Sequence, residues 1–172
     1  MKPRQALLAM ALLLASHQAA GAALRSPTPP PIPADKSGAV VSSAQLHQRI
    51  AVMKADLRPD TTLLWQPVLM ADGHIAALEY WHRPRPPAVH ITQAEYVTVV
   101  EGSGWMLSGG KLTNGRETHP GLIEGDEIEG GARRELKPGD VFLIPAGMPH
   151  WFGIHGQGLV LLGIKLNPEP AK

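Results

Sequence analysis

The stretch Gly139–Phe152 reads Gly-Asp-Val-Phe-Leu-Ile-Pro-Ala-Gly-Met-Pro-His-Trp-Phe and places a turn, an apolar strand and a second turn before one histidine. Gly139 and Gly147 permit the backbone angles of tight turns, and the two prolines fix φ on either side of Gly147. His150 follows directly. The stretch therefore predicts a strand framed by turns that aims one imidazole into an enclosed space.

The first residues of the chain have the composition of a secretory signal peptide. Basic residues near Met1 precede an apolar run, Ala6–Ala15, and a series of small residues follows around Ala22. The run is too short to span a bilayer, so cleavage near Ala22 is expected and an uncleaved amphipathic anchor is the alternative. This interpretation divides the chain into a signal peptide over residues 1–22 and a periplasmic or secreted remainder.

The charge balance excludes two classes of partner. The chain has 16 basic and 15 acidic residues, and two of the basic residues lie in the predicted signal peptide. A nearly neutral domain without a cluster of Lys or Arg is not expected to bind nucleic acid or an anionic membrane surface. No stable membrane span is expected either. The chain contains no cysteine, so disulfides cannot stabilise it.

The remaining sequence predicts one all-β domain preceded by a helix. Proline-rich residues 23–40 are predicted to form an extended linker without packing contacts, and a single domain is expected over residues 41–172. Ser43 is predicted to cap a helix over Ala44–Leu57, where apolar residues recur at helical spacing. Many short apolar segments follow with Gly and Pro between them, which favours a sandwich or barrel over about residues 61–167.

Two glycine-containing segments are interpreted as breaks between the predicted strands. Gly102-Ser103-Gly104 is predicted to be a turn between two strands. The insertion Gly109–Gly131 is Gly-rich and acidic, and a solvated loop at the barrel mouth is preferred to a calcium-binding loop because its carboxylates do not fit the EF-hand spacing.

Two motifs resemble those of the cupin family. Gly139-x5-Pro145-x-Gly147-x2-His150 matches the second motif of the family up to the histidine, and His90-x4-Glu95-x6-Gly102 resembles the second half of the first motif. The resemblance covers about residues 61–167. It implies a jelly-roll barrel whose interior binds a divalent metal, with His90, Glu95 and His150 as the ligands. Such a set suits Fe(II) and would also accept Mn(II), Ni(II) or Zn(II).

The first motif is incomplete. The family has a histidine where this chain has Ala88, so one of four usual ligands is missing. His82, Gln93 or water are candidates for the vacant position. A straight strand would separate His90 from Glu95 by roughly 16 Å, so sharing one ion requires a turn near Gln93. The alternative is a degenerate site in which the histidines make ordinary hydrogen bonds.

Three residues with large side chains near His150 are candidates for contact with a ligand. Met148, Trp151 and Phe152 are predicted to bind substrate, and Phe152 has the strand parity of His150, so it is expected to point into the barrel. Trp65 and Trp81 are expected in the core.

Two functions are compatible with these residues. The first is a metal-dependent enzyme of oxygenase, isomerase or lyase type that acts on a small organic substrate, since no serine or cysteine nucleophile motif is present. The second is a non-enzymatic module that binds or senses a small ligand. A homodimer is compatible with both functions.

Overall fold

The computed structural model describes residues 28–167, and the predicted signal peptide lies outside this range. The single helix of the described residues is α1, Ser43–Ala55, and the strands are β1 Ile32–Pro33, β2 Leu63–Ala71, β3 His74–Trp81, β4 Ala88–His90, β5 Ala94–Ser108, β6 Lys111–Leu112, β7 Arg116–His119, β8 Leu122–Glu124, β9 Ile128–Glu129, β10 Ala132–Leu136, β11 Val141–Ile144 and β12 His150–Leu166. No helix within this range has the length and hydrophobicity that a membrane span requires. The all-β fold with one N-terminal helix is confirmed.

Two long antiparallel strands, β5 and β12, pair along most of their length and organise the barrel. The C-terminal half of β12 pairs with β3, which pairs with β2, while β11 pairs with the first half of β5. The beginning of β12 pairs with β4, which pairs with β8, and β10 pairs with the second half of β5. Each long strand therefore takes part in both facing sheets, or walls, of the jelly roll. The space between the two walls is the barrel interior.

The predicted turn at Gly102-Ser103-Gly104 is instead part of the continuous strand β5. Gly102 has φ +76°, and a Cβ atom there would lie 2.0 Å from the carbonyl oxygen of Gly158. A Cβ on Gly104 would lie 2.1 Å from the carbonyl oxygen of Gly153. These glycines let β5 and β12 approach closely where the pairing register shifts, so they mark a bend in a strand and not its end.

Helix α1 packs against the outer face of the β2–β3 wall. Ile50 and Met53 of the helix contact Val68, Leu78 and Val160, and all five are buried. The helix cap is Ser42 and not the predicted Ser43. The Ser42 hydroxyl accepts a hydrogen bond from the Gln45 backbone N–H, and the Gln45 side chain accepts one from the Ser42 N–H, which forms a capping box.

The described part of the proline-rich segment, which begins at residue 28, packs on the domain, in contrast to the unpacked linker that was expected. Strand β1 pairs in parallel with β2. The buried Arg49 guanidinium donates hydrogen bonds to the carbonyl oxygens of Pro29 and Pro30 at 2.7 and 2.8 Å. Prolines lack N–H groups, but their carbonyls remain strong acceptors, which composition alone does not reveal.

The insertion predicted to be a solvated loop also has regular structure. It contains β6 to β9, and β8 pairs with β4 so that Leu122 lies opposite His90 and Glu124 lies opposite Ala88. The insertion therefore adds a strand to the wall beside His90.

Candidate functional site

His90 and Glu95 come together because the chain bends between them. β4 ends at His90 and β5 begins at Ala94, with a bend at residues 91 and 92, so the change of direction that a shared site requires is present. The Nε2 atom of His90 lies 2.7 Å from Oε1 of Glu95. The Glu95 side chain is buried, and the His90 side chain is 18% exposed.

His150 joins them from the first position of β12, where it pairs with Ala88 of β4. Its ring stacks on the His90 ring with centroids 5.6 Å apart. Its Nδ1 atom lies 3.1 Å from the carbonyl oxygen of Met148, and because a carbonyl only accepts, Nδ1 carries the proton. Neutral His150 therefore has its lone pair on Nε2.

The electrostatics keep His150 neutral and Glu95 ionised. Burial lowers the pKa of the His150 imidazole, and the Glu95 carboxylate only partly opposes this effect. Burial also acts to raise the pKa of Glu95, but the hydrogen bond from His90 and the positive charge of Lys165, with the nearby imidazoles acting in the same direction, outweigh it and hold that pKa at about 2. The site therefore combines a carboxylate with an uncharged imidazole.

Lys165 is a member of this site that the sequence analysis missed. Its Nζ atom lies 2.6 Å from Glu95 Oε1 and 2.8 Å from His90 Nε2. A signal was present in the sequence. Leu159, Leu161 and Lys165 share one parity in β12, and the first two are fully buried in the barrel, so an inward-facing Lys165 could have been predicted.

Glu79 is the second residue that was missed. It shares its parity in β3 with Ala77 and Trp81, and its Oε2 atom accepts a hydrogen bond of 3.0 Å from the Trp81 indole N–H. Burial and the nearby Glu95 carboxylate raise the pKa of Glu79, although Lys165 acts in the other direction. The barrel thus holds two carboxyl groups with opposite pKa shifts.

A cavity of about 270 Å³ adjoins these groups. Its apolar wall includes Leu63, Trp81 and Phe152, and Arg85 and Glu124 line it as an ion pair with a distance of 2.9 Å. A further cavity of about 200 Å³ lies on the side of Ile75, Gln93 and Asn167. Both cavities are lined by Trp65, Glu79, Glu95 and Lys165, so these four residues stand between them.

The three residues predicted to contact substrate have different positions. Phe152 is buried, as its parity predicted, and lines the larger cavity with its ring 5.8 Å from that of His150. Met148 packs against the barrel core, and its carbonyl orients His150. Trp151 lies edge-on to Trp105 and donates its N–H to the Arg85 carbonyl at 2.6 Å. Contact with a substrate stays a prediction for all three.

Three other expectations need correction. Trp65 was expected in the core, but it is 52% exposed at the cavities, whereas Trp81 packs against the core as expected. His82 and Gln93 do not fill the position left by Ala88. The His82 ring contacts the Gln157 carbonyl at 3.1 Å, and the Gln93 amide donates to the Asn167 side chain at 2.6 Å.

The donor set fits a divalent metal ion, with one condition. One ligand atom from each of His90, Glu95 and His150 lies within 4.8 Å of the other two. Donors to one ion of this kind are about 3–4 Å apart, so small movements would suffice. The hydrogen bond from His150 to the Met148 carbonyl is the outer-shell contact that metal-binding histidines usually make. The condition is that the Lys165 ammonium moves away from Glu95 and His90.

Comparisons with known proteins found a family model and several solved structures to which this chain is similar. A family model described as Cupin matches residues 84–171. Similar solved structures include a candidate mannose-6-phosphate isomerase from Ralstonia eutropha JMP134, with 23% identity, a TM-score of 0.47 and coverage of 66% of this chain and 94% of that chain. The cupin domain of Cnp3 from Schizosaccharomyces pombe has 9% identity, a TM-score of 0.47 and coverage of 67% and 72%. No curated protein gives a significant match.

Proposed function

This chain belongs to the cupin family, and we propose that its barrel binds a divalent metal ion through His90, Glu95 and His150 and a small organic molecule in the adjoining cavity. The observation that carries the proposal is the convergence of two imidazoles and one ionised carboxylate from β4, β5 and β12. Fe(II), Mn(II), Ni(II) and Zn(II) all accept such donors.

The cavity supports the binding of a small molecule with an apolar body and a polar group. Its volume of about 270 Å³ is slightly below the usual range of ligand pockets, so the ligand is expected to be small, and apolar side chains form much of its wall. Phe152 and Trp81 lie beside each other with ring centroids 5.2 Å apart, and they would exclude water from one side of a ligand. The polar group would face His150, Glu95 and Lys165, and Trp65 offers an exposed ring at the cavity.

The chain provides groups that can hold and transfer a proton near such a ligand. When bound, a divalent ion would act as a Lewis acid toward an oxygen atom of the ligand. Glu79 retains its proton more readily than an ordinary carboxyl group, because burial raises its pKa, so it can donate a hydrogen bond or a proton. These properties suit a metal-dependent enzyme on a small organic substrate.

Metal analysis of chelator-treated protein tests the proposal. Purified protein is reloaded with Mn(II), Ni(II), Zn(II) or, without oxygen, Fe(II), and the metal content per chain is measured. We expect near-unit stoichiometry for at least one ion and its loss in His150→Ala. The matched control is His119→Ala, since His119 is exposed on β7. Equal metal content in the His150→Ala protein, or none in the unaltered protein, would contradict the proposal.

A second candidate function is metal-independent binding of a small ligand in the same cavity. The observation that favours it is the ammonium group of Lys165, which already compensates the Glu95 charge, together with Ala88 in place of a ligand. In the presence of a chelator, small carboxylates, sugars and aromatic acids are screened for an increase in melting temperature, because a ligand that binds only the native state raises it. No increase with any member of this panel would count against this candidate.

Export to the periplasm or medium is also proposed, on the basis of the first 22 residues. Fractionation of cells that express the full chain with a C-terminal tag should give a processed product outside the cytoplasm.

A homodimer is a further proposal for this chain. Sedimentation of the purified domain tests it, and a monomer at high concentration would exclude a stable homodimer.

A further inference from the structure

Three polar atoms from three side chains form a compact triangle in the barrel. Lys165 Nζ is 2.6 Å from Glu95 Oε1 and 2.8 Å from His90 Nε2, and these last two atoms are 2.7 Å apart. Two of the three proposed metal ligands thus contact an ammonium group of the same chain. The third, His150, lies beside them with its ring stacked on that of His90.

The backbone fixes Lys165 at this place. In the β5–β12 ladder Lys165 pairs directly with Glu95, so their side chains lie on the same face of the sheet. The strands on both sides, β11 and β3, continue this wall. Lys165 therefore reaches Glu95 as a cross-strand neighbour, and a surface lysine would not be held in this way. Its side chain is still 38% exposed, which leaves it room to move.

Hydrogen-bond chemistry makes this contact incompatible with a metal ion on the same atoms. His90 Nε2 has a single position for a proton or a lone pair. It either donates to Glu95 or accepts from Lys165, and a metal would need the same lone pair. The Glu95 oxygen is likewise occupied by the ammonium at 2.6 Å. A divalent ion bound at these atoms would also stand within a few ångströms of a positive charge, which is unfavourable at short range.

We infer that Lys165 is the resident cation of this site: it neutralises Glu95 beside His90 in metal-free protein, and a metal ion binds only by displacing it. The displacement of Lys165 by a metal ion rests on the proposed function, because it requires that the barrel binds a metal. Lys165 thereby sets the metal affinity of the barrel. It weakens binding, and it also maintains the arrangement of the ligands when no ion is bound.

The test compares Lys165→Met with the unaltered protein at one fixed pH near neutrality. Metal affinity is measured by competition with a chromogenic chelator for Mn(II), Ni(II) and Zn(II). Lys165→Met should bind metal on the order of tenfold or more tightly, since the competing charge is gone. Lys165→Gln serves as a second variant in case the methionine protein does not fold. Lys111→Met is the matched control, because Lys111 is an exposed lysine of β6.

Stability without metal provides a separate readout. In excess chelator, Lys165→Met leaves the Glu95 carboxylate uncompensated and should lower Tm by roughly 5 °C. The double variant Glu95→Gln/Lys165→Met should recover most of this loss, because both charges are then absent. A metal that binds Lys165→Met should raise its Tm more than it raises that of the unaltered protein.

The outcomes separate this inference from the proposed function. If both proteins bind metal with equal affinity, Lys165 does not compete, and only this inference is overturned. If neither protein binds any metal, the proposed function fails and the displacement fails with it. If Lys165→Met has the Tm of the unaltered protein in chelator, the role of resident cation is overturned even where metal binds.

Discussion

Lys165 lies directly opposite Glu95 in the pairing of β5 with β12, and its Nζ atom is 2.6 Å from the Glu95 carboxylate. The pair joins the last part of the chain to the first motif of the site, across about seventy residues of sequence. Its position inside the barrel means that the charge of Glu95 is compensated before any ligand arrives. The pair therefore influences the stability of the folded protein, its affinity for a metal ion and the pH dependence of its stability.

Glu95 should make the stability of metal-free protein depend on acid pH. Its pKa falls from 4.5 to about 2 on folding, so its contribution is complete above about pH 4.5 and is lost as the pH falls toward 2. The shift corresponds to up to about 3 kcal/mol. Urea unfolding of the unaltered protein and of Glu95→Gln should show a difference at pH 7 that shrinks below pH 4.5. A difference that stays constant down to pH 3 would contradict this assignment.

Restoring the missing ligand position should strengthen metal binding. Ala88 pairs with His150 and lines the larger cavity, so Ala88→His would present an additional imidazole to the site. We expect an affinity gain on the order of tenfold in chelator competition, since a fourth protein ligand replaces water. Val89→His is the matched control because Val89 alternates to the opposite face of β4. Equal gains in both variants would exclude a specific effect.

The close approach of β5 and β12 should make Gly102 intolerant of any side chain. Gly102→Ala places Cβ 2.0 Å from the Gly158 carbonyl oxygen at a φ of +76°, so we expect a loss of more than about 3 kcal/mol in the free energy of unfolding. Gly156→Ala is the control, because Gly156 has φ +63° and a Cβ there would meet no atom within 4 Å. Its cost should be about 1 kcal/mol, from the backbone alone. Urea unfolding of both variants measures the difference, and equal losses would refute the steric argument.

The helix cap gives a further prediction about neighbouring residues. Ser42→Ala should lower the free energy of unfolding by about 1 kcal/mol, because the hydroxyl accepts the Gln45 N–H at the helix start. Ser43→Ala should cost less, since the Ser43 hydroxyl contacts the exposed His47 side chain and does not cap the helix. Chemical unfolding compares the two, and a larger loss in Ser43→Ala would restore Ser43 as the cap.

Local patterns were sufficient for most of the fold and for part of the site. The Gly/Pro punctuation around His150 and the alternation along the strands depend on backbone preferences of a few neighbouring residues, so they could be predicted without the structure. The apolar strand predicted between the turns at Gly139 and Gly147 is observed as β11, Val141–Ile144. The same alternation placed Phe152 correctly inside the barrel.

The predictions made from sequence were wrong where distant segments decide the local structure. Gly102 and Gly104 resemble a turn in sequence, but the partner strand β12 makes them a bend within a continuous strand. The proline-rich segment resembles a linker until Arg49 supplies donors to its carbonyls. A tertiary partner overrides local propensity in both cases.

By itself, the sequence predicted the all-β barrel and the helix before it, because strand alternation, turn residues and helical spacing are local properties. The resemblance of its two motifs to those of the cupin family implied His90, Glu95 and His150 as metal ligands. Only the tertiary structure decided what neutralises Glu95. Charge compensation depends on which residues meet across a sheet, and the pairing of β5 with β12 brings Lys165 to the position for which a metal ion had been expected.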